Sequence, residues 1–516
     1  MGIKEKVEEL ALAQEEARIG GGQAKIDKQH AEGKLTARER IDLLIDEGTF
    51  VEIGMFAQHQ CHDFGIEKTR PWGDGVITGY GKIDGRLVYV YAQDFTVLGG
   101  TVGHVHAAKI CGVSTAAREA GAPIIGLIDS GGGRIQEGSS TYGAVFAENV
   151  LASGVIPQIT AIMGSCAGGG VYSPALTDFI GMVENTSHMF IAGPRVIKEA
   201  TGEEISMQDL GGAKPQSEIS GVCDFTAKDD TECIEQIKKL LSFLPSSYIE
   251  EPPIVTTNDN PNRCDDELLS IVPDSPRQAF DMHRIISKVV DNGDFLEMKP
   301  RFAKNIITGF AHLGGYSVGI VANQPLVIAG VLDCDASDKA ARFYRTCDCF
   351  NIPIITFVDV PGYMPGIKEE YKGIIRHGAK MLYALREATV PKISCVIRKA
   401  YGGSYVAMGS KSIGADLAFA WPGAEIAIMG AEGATEILYR KEIAGAEDKV
   451  QYKKQKVEEY RETFSTPYYA ASKGMITAII MPEQTRTQLI TALEILKRKS
   501  KPGKSALAGK HGNIPL

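Results

Sequence analysis

Residues 122–132 read APIIGLIDSGG, and residues 352–362 read IPIITFVDVPG. Each stretch is an apolar run that leads to an aspartate and then to glycine, and the two lie 230 positions apart. Similar segments at a fixed offset indicate an internal repeat, which determines the architecture before any single motif is considered. The pair therefore predicts a chain made of two halves with one plan.

The offset of 230 also holds upstream of these two stretches. The upstream pairs are Gly85 with Gly315, Val88 with Val318, Ala92 with Ala322, Gly100 with Gly330 and Lys109 with Lys339. Downstream the offset becomes 234, and IPQITAIMGSCAGG (156–169) pairs with VPKISCVIRKAYGG (390–403). A common order over about 85 positions of each half argues against a chance likeness between two generic strands.

Each half repeats an apolar strand, a Gly-Gly turn and a helix of small residues. Short β-branched runs are typical of strands buried on both faces of a mostly parallel sheet. Helix-like stretches between the strands favour crossover connections. The stretch 245–275 is rich in Pro, Asn and Asp, which is typical of a linker. The sequence therefore predicts two tandem α/β domains, over residues 1–250 and 270–516.

The composition excludes several classes of protein. The net charge is −9 without a long basic run, so we expect no nucleic-acid partner. The ten cysteines form no CxxC pair, which predicts a reduced intracellular protein without a structural metal. The N-terminal segment lacks the apolar core of a signal peptide, and no run of about eighteen apolar residues is present. We therefore expect a cytoplasmic protein that does not insert into a membrane.

Three glycine turns follow apolar strands. They are Gly131-Gly132-Gly133 after Asp129-Ser130, Gly168-Gly169-Gly170 after Cys166-Ala167, and Gly402-Gly403 before Ser404. Consecutive N–H groups at such a turn can point at one oxygen, and a following helix adds positive potential. A single pair could equally serve tight packing. Two pairs at equivalent places in duplicated halves favour a pair of oxyanion holes, in which one donor contributes on the order of 3 kcal/mol.

The segment Gly164-Ser165-Cys166-Ala167-Gly168 resembles a nucleophile elbow with cysteine in place of serine. No histidine and acid are arranged to activate Cys166, and Ala400 occupies the duplicate position. We therefore expect that Cys166 is not a nucleophile. Ala379-Lys380-Met381 matches only part of a biotin-attachment motif and lies in a helix-like stretch, so Lys380 is expected to be structural and unmodified.

The scarcity of acid–base side chains at catalytic spacing favours a reaction that needs only stabilised oxyanions. Carboxyl transfer from carboxybiotin is such a reaction. One glycine turn can hold the charge on the ureido oxygen while the carboxyl group is released. The freed biotin nitrogen can then take the α-proton of an acyl-CoA, and the other turn can hold the enolate oxygen.

Long motifs in a fixed order resemble the carboxyltransferase family of biotin-dependent enzymes. Its members include propionyl-CoA carboxylase β subunits, the large subunit of methylmalonyl-CoA transcarboxylase and the α subunit of methylmalonyl-CoA decarboxylase. The motifs are QHAEGKLTARERIDLLIDEGTFVEI (29–53), AQDFTVLGG (92–100), DSGGGRIQEG (129–138), GSCAGGGVYSPALTDF (164–179), IAGPRVIKEATGEE (191–204), SVGIVANQP (317–325), FVDVPGYMPG (357–366), GIIRHGAKMLYA (373–384), RKAYGGSYVAMGSKSIGADLAFAWPGAEIAIMGAEGA (398–434) and KHGNIPL (510–516). The resemblance covers essentially the whole chain.

The resemblance implies two crotonase-like domains, a homohexamer, and an active site where acyl-CoA and biotin meet. The implied partners are a biotin carboxyl carrier protein with a biotin carboxylase, or the membrane subunits of a decarboxylase. The implied catalytic residues are Gly168 and Gly169 for the thioester enolate, and Gly403 and Ser404 for the biotin ureido oxygen. The implied substrate-binding residues are Gly131, Gly132, Gly133, Arg134 and Tyr172 for coenzyme A, and Val406 beside the acyl chain.

Three features depart from the family pattern, and all lie in the N-terminal half. They are Gly133 in place of Ala, a shortened stretch EGSSTYG (137–143), and Gln216 in place of His. They concern the choice of acyl-CoA, for which propionyl-CoA or methylmalonyl-CoA is expected. The alternatives are the catalytic subunit of a sodium-pumping decarboxylase, a crotonase-type hydratase or isomerase with Glu137 as its carboxylate, and a non-catalytic scaffold.

Overall fold

The computed structural model describes residues 2–138, 141–276, 278–497, 499 and 510–515. The chain divides into two compact units at Glu250 and Glu251. Residues 510–515 belong to the first unit, where the buried Asn513 donates its side-chain N–H to Asp178 Oδ1 at 2.7 Å. The predicted pair of tandem α/β domains is therefore present.

The second unit begins at Glu251 and not at residue 270, because much of the predicted linker packs against it. The Val255 N–H donates to the Gly315 carbonyl at 2.9 Å, and the Asp265 N–H donates to the Glu483 carbonyl at 3.4 Å. The Pro-, Asn- and Asp-rich composition of this stretch reflects irregular backbone that is nonetheless hydrogen-bonded to the domain.

The first unit has one mixed sheet covered by helices. Its strands are β1 (Val51–Ile53), β2 (Val76–Ile83), β3 (Arg86–Gln93), β4 (Ile124–Ser130), β5 (Gln158–Ala167), β6 (Phe179–Val183), β7 (His188–Phe190) and β8 (Phe225–Ala227). Its helices are α1 (Ile3–Ile19), α2 (Gln23–Ala31), α3 (Ala37–Leu44), α4 (His104–Ala120), α5 (Thr141–Ala152), α6 (Tyr172–Ala175), α7 (Pro194–Thr201), α8 (Met207–Gly211), α9 (Ala213–Glu218) and α10 (Asp230–Phe243). The strand order is β1-β2-β3-β4-β5-β6-β8, with β7 paired to β5, and the pairs from β3 onward are parallel.

The second unit repeats this sheet. Its strands are β9 (Phe295–Met298), β10 (Ile306–Leu313), β11 (Tyr316–Asn323), β12 (Ile354–Val360), β13 (Lys392–Tyr401), β14 (Leu417–Ala420), β15 (Glu425–Ala427) and β16 (Ala478–Ile479). Its helices are α11 (Leu268–Ile271), α12 (Met282–Val289), α13 (Cys334–Cys349), α14 (Ile367–Lys372), α15 (Ile374–Glu387), α16 (Gly402–Ala407), α17 (Ala431–Leu438), α18 (Arg440–Gly445), α19 (Lys449–Phe464), α20 (Pro467–Ser472) and α21 (Thr485–Leu496). The order is β16-β14-β13-β12-β11-β10-β9, with β15 paired to β13.

The two sheets agree strand by strand with the offsets read from the sequence. Strands β3 and β11, and likewise β4 and β12, differ by 230 positions, whereas β5 and β13 differ by 234. Every residue of β4 and β12 is buried, which explains their unbroken apolar character. The predicted duplication is confirmed.

Within the described ranges, no helix has the length and apolar character needed to cross a membrane. The same residues contain no cluster of three or more His, Cys, Asp or Glu side chains placed to hold a metal ion.

Candidate active site

The first glycine turn follows β5 in the first unit. Gly168 has φ 64°, a left-handed conformation that strains residues with a side chain, so glycine is needed there. A single helical turn, Gly168–Val171, follows and continues into α6. The first N–H groups of a helix have no carbonyl partner inside it. The N–H groups of this turn are therefore suited to bind an oxygen that carries negative charge.

The second glycine turn follows β13 in the second unit. Gly402 has φ 57°, and a Cβ atom there would lie only 2.7 Å from the Ile428 carbonyl oxygen. The side chain of Ser404 is buried, and its Oγ donates to the Tyr401 carbonyl at 2.7 Å. The hydroxyl of Ser404 is thus engaged by the backbone, and the residue contributes to the turn mainly by its backbone.

The two turns occupy equivalent positions in the two sheets. Each preceding strand pairs in parallel with three neighbours, and its last residue lies opposite one of these, a short extra strand. Ala167 is opposite Phe190 in the first unit, and Tyr401 is opposite Ala427 in the second. The expectation that both turns stand at equivalent places is confirmed.

A buried aspartate supports the strand that leads to each turn. Asp129 Oδ1 accepts the Ser165 N–H at 3.2 Å, and Asp359 Oδ1 accepts the Lys399 N–H at 2.9 Å. The ladder between the two central strands shifts register at both aspartates, as at a β-bulge, which re-aims a side chain. These residues were missed as positioning residues, although both stand at the end of the repeated apolar stretches.

The positive charge that balances each aspartate comes from a different part of the chain. In the second unit Arg398, on β13 itself, donates to Asp359 Oδ2 at 2.8 Å. The duplicate position in the first unit is Gly164, where a Cβ atom would lie 2.1 Å from Asp129 Oδ1. Arg40 of α3 supplies the charge instead, with Nη1 3.4 Å from Asp129 Oδ2.

The third glycine segment closes against the first turn. The Gly131 N–H donates to the Gly99 carbonyl at 2.9 Å, and the Gly132 N–H donates to Ser130 Oγ at 3.1 Å. Gly132 has φ 98°, and a Cβ atom there would lie 2.9 Å from the Ala167 carbonyl oxygen. Gly133 forms a parallel bridge with Val102. The segment therefore lies beside the residue that precedes Gly168.

Arg134 holds this segment from the inside. Its side chain is 2% exposed and forms ion pairs at 2.7 Å with both Asp74 and Glu137. The second oxygen of Glu137 accepts the His104 N–H at 2.9 Å, at the start of α4. Burial acts to raise the pKa of Glu137, but the His104 N–H and the Arg134 guanidinium outweigh it and lower the pKa. This geometry favours a structural carboxylate over a catalytic base; the neighbouring Ser139 and Ser140 lie outside the described residues.

Aromatic side chains line the first turn. Tyr172 begins α6 and is 47% exposed, with its ring edge-on to Phe146 at a centroid distance of 6.1 Å. The ring of Tyr142 stacks on that of Phe146 at a centroid distance of 5.7 Å. The Tyr142 hydroxyl lies 2.8 Å from where a Cβ atom of Gly170 would be, so that glycine allows a close approach of the ring. Tyr172 thus lies at the turn with nearly half of its side chain exposed.

A cleft of about 630 Å³ opens at the second turn. Its lining includes Gly402, Gly403 and Val406, together with Lys411 and Lys473. The lining residues carry two positive charges and no carboxylate. A cleft of this kind is suited to a ligand with an apolar body and an anionic group.

Three other positions that the sequence singled out are buried or held by contacts within the protein. Cys166 is 2% exposed, and burial raises the pKa of its thiol to about 12, so the thiolate is not available near neutral pH. Lys380 lies in α15 and pairs with Asp338 Oδ1 at 2.9 Å. Gln216 donates to the Met189 carbonyl at 2.8 Å.

Together, the duplicated sheets and the equivalent glycine turns define a protein of two similar α/β domains, each with a candidate oxyanion hole. The chain belongs to the family described as "Carboxyl transferase domain", whose model matches residues 28–514. The predicted family and enzyme class are confirmed.

Several relatives match over essentially their full length. The chain is 54% identical to the "Propionyl-CoA carboxylase, carboxyltransferase subunit" of Haloferax mediterranei, over 100% of both chains. It is 53% identical to "Methylmalonyl-CoA decarboxylase subunit alpha" of Propionigenium modestum, over 99% of both. Among solved structures, the transcarboxylase 12S hexamer "with methylmalonyl-coenzyme a and methylmalonic acid bound" matches with a TM-score of 0.96 and 49% identity, over 100% of this chain and 99% of that one. The same match bears out the predicted crotonase-like domains.

Proposed function

We propose that this protein moves a carboxyl group between carboxybiotin and the α-carbon of propionyl-CoA or methylmalonyl-CoA. The observation that carries the proposal is the pair of equivalent glycine turns, one in each unit. Each turn follows a strand whose backbone donates a hydrogen bond to a buried aspartate. Carboxyl transfer develops negative charge on two oxygens in turn, and each turn offers backbone N–H groups to one of them.

The first turn, with Gly168 and Gly169, stabilises the enolate oxygen of the thioester. The neighbouring Gly131–Gly133 segment, which Arg134 holds from inside, and the exposed ring of Tyr172 form the coenzyme A side. No acidic or basic side chain is required at the enolate, because the biotin nitrogen supplies the base. The buried thiol of Cys166 plays no covalent part.

The second turn, with Gly403 and Ser404, holds the ureido oxygen of biotin. The adjoining cleft accepts the ring system, and its two lysines favour the carboxylate that biotin carries. Val406 on the wall of this cleft is small and apolar, which suits the methyl branch of a propionyl group. The names of the relatives, which concern propionyl-CoA and methylmalonyl-CoA, agree with that size.

Biotin arrives on a separate carrier protein, since Lys380 lies in a helix and is paired with Asp338. The further partners are a biotin carboxylase or membrane decarboxylase subunits. A homohexamer is proposed because the transcarboxylase 12S structure, which covers the whole chain, is described as a hexamer assembly.

A second candidate is the catalytic subunit of a biotin-dependent decarboxylase, which runs the transfer from methylmalonyl-CoA to biotin. Relatives named methylmalonyl-CoA decarboxylase subunit alpha, at 53% and 54% identity, support it as strongly as the carboxylase relatives do. Both candidates use the same two turns. The direction of transfer is set by the partner subunits.

The test is an assay of the purified protein with free biotin and methylmalonyl-CoA, followed by release of carbon dioxide and of propionyl-CoA. We expect biotin-dependent turnover that Gly402→Val abolishes, because valine at φ 57° is strained and meets the Ile428 carbonyl. Gly445→Val is the matched control, since Gly445 ends the exposed helix α18 with no atom within 4 Å of its Cβ position. Turnover that is independent of biotin would contradict the proposal and favour a hydratase or isomerase.

A further inference from the structure

The residue immediately before the second turn is joined to the short strand beside it. The Tyr401 hydroxyl donates to a carboxylate oxygen of Glu425 in β15. The Tyr401 ring also approaches Gly430, whose Cβ atom would lie 3.3 Å from the ring. The backbone pairs at the same point, with Lys399 opposite Glu425. The end of β13 is therefore fixed to β15 both by its backbone and by the phenol.

Helix α19 extends this connection. Arg461 lies 3.6 Å from Glu425 Oε1 through its Nε, and its other nitrogens contact Glu432 and Glu458 at 3.1 Å. Glu425 is 15% exposed and Arg461 is 26% exposed, so both charges are only partly solvated. An ion pair in that environment is screened less by salt than one on the open surface. The turn is thereby connected through two side chains to a helix of sixteen residues.

Among the residues that the structure describes, the first turn has no such connection. Ala167 occupies the place of Tyr401, and His188 occupies the place of Glu425, since Ser165 pairs with His188 as Lys399 pairs with Glu425. The ring of His188 stacks on Phe190 at 5.2 Å instead. An alanine cannot donate a side-chain hydrogen bond. The network is therefore particular to the second unit, although the turn itself is duplicated.

We propose that Tyr401, Glu425 and Arg461 are positioning residues that fix the direction of the N–H groups of the second glycine turn. The inference rests on the proposed function, in which that turn holds the biotin ureido oxygen. An oxyanion hole stabilises charge only when its donors already point at the oxygen, and a displacement of about 1 Å can lower the rate on the order of a hundredfold. On the acyl-CoA side the Gly131–Gly133 segment lies close to Ala167, the residue before the first turn.

Tyr401→Phe removes the hydroxyl and keeps the ring, so it tests the network alone. Tyr452→Phe is the matched control, because the Tyr452 hydroxyl donates to Glu442 at 2.8 Å in the same unit but in an exposed position. We expect Tyr401→Phe to lower kcat by roughly tenfold to a hundredfold in the free-biotin assay while KM for the acyl-CoA stays within about twofold. The control should keep wild-type kcat.

Hydrogen exchange measured by mass spectrometry gives a readout that does not depend on turnover. A peptide that spans Gly402–Ala407 should exchange faster in Tyr401→Phe, whereas a peptide that spans Gly168–Val171 should not change. Arg461→Met should have the same effect in weaker form. The double variant with Tyr401→Phe and Arg461→Met should lower kcat by less than the product of the two single-variant factors, because both residues act through Glu425.

Unchanged exchange at the second turn in Tyr401→Phe would overturn the inference, as would a lower melting temperature with unchanged kcat. Loss of acyl-CoA affinity together with faster exchange at both turns would also overturn it, since the effect would then be general. If the wild-type protein shows no biotin-dependent turnover, the proposed function fails, while the exchange experiment still decides whether the network fixes the turn.

Discussion

The two buried aspartates allow a prediction in which equivalent substitutions have unequal effects. In the second unit, Asp359 balances Arg398, with contacts of 2.8 and 3.3 Å. The side chain of Arg398 is 8% exposed, and among the described residues it has no other carboxylate partner. Its remaining contacts are the Gln278 carbonyl at 2.7 Å and the Phe280 ring. Asp359→Asn therefore leaves a buried guanidinium without its counter-charge, which costs about 3–5 kcal/mol.

The same substitution in the first unit leaves its arginine paired. Arg40 Nε lies 2.7 Å from Asp230 Oδ2, so Arg40 keeps one carboxylate when Asp129 becomes asparagine. Lys34, 3.5 Å from Asp129, also lies 3.2 Å from Glu32. The loss is then that of charge-assisted hydrogen bonds, about 1–3 kcal/mol. Asp359→Asn should thus destabilise its unit by roughly 2 kcal/mol more than Asp129→Asn.

Native-state hydrogen exchange of amides in β5 and β13 measures the two local free energies separately, which suits a chain of two domains. Glu436→Gln is the control for loss of a carboxylate, because Glu436 pairs with Lys453 while 60% exposed, and the stability of this variant should stay close to that of the wild-type protein. Turnover of the folded protein should fall in both aspartate variants, since each strand leads to a glycine turn. Equal losses of local stability in the two variants, or a larger loss for Asp129→Asn, would refute the argument that Arg40 keeps a carboxylate partner and Arg398 does not.

Three further outcomes are expected. Cys166→Ala should keep most of the carboxyltransfer rate in the assay with free biotin, because the buried thiol has a pKa of about 12. Gly168→Val should lose that rate in the same assay, since a φ of 64° strains valine. Val406→Phe should crowd the acyl group and shift the ratio of kcat/KM from propionyl-CoA towards acetyl-CoA by roughly tenfold, as one methylene is worth about 1–3 kcal/mol. An unchanged ratio would place Val406 away from the acyl group. The pKa of Glu137 is lowered on folding, so its contribution to stability is present above about pH 4.5 and is lost as the pH falls below that value. Acid unfolding of Glu137→Gln should show a weaker dependence on pH in that window, and an identical dependence would contradict this assignment.

The repeated apolar runs were sufficient to predict the architecture. Their fixed offset depends only on local residue types, and each run became a buried strand in both sheets. The glycine turns were predictable for the same reason, because Gly168 and Gly402 report a backbone conformation that other residues avoid. The strands and the glycine turns depend on local residue patterns, and the sequence therefore predicted them.

The residues that act over long distances in the chain were not predictable. Arg40 reaches Asp129 from 89 positions away, and nothing in the local sequence of either residue shows that contact. The sequence assigned too many residues to the linker for a related reason. Arg486 donates to the Asn260 carbonyl across 226 positions, and so holds an irregular segment against the second unit.

The first unit shows how a duplicated site can change its support and keep its turn. The Asp129 carboxylate closes over Gly164, so no arginine can stand on β5 where Arg398 stands on β13. A buried carboxylate still requires positive charge, and the chain supplies it from α3 through Arg40. The segment before β1 is therefore part of the support of the first glycine turn, although it is remote from that turn in sequence. Any change that detaches α3 should disturb Gly168 before it disturbs the sheet, because the sheet core is apolar and the aspartate beneath the turn is not.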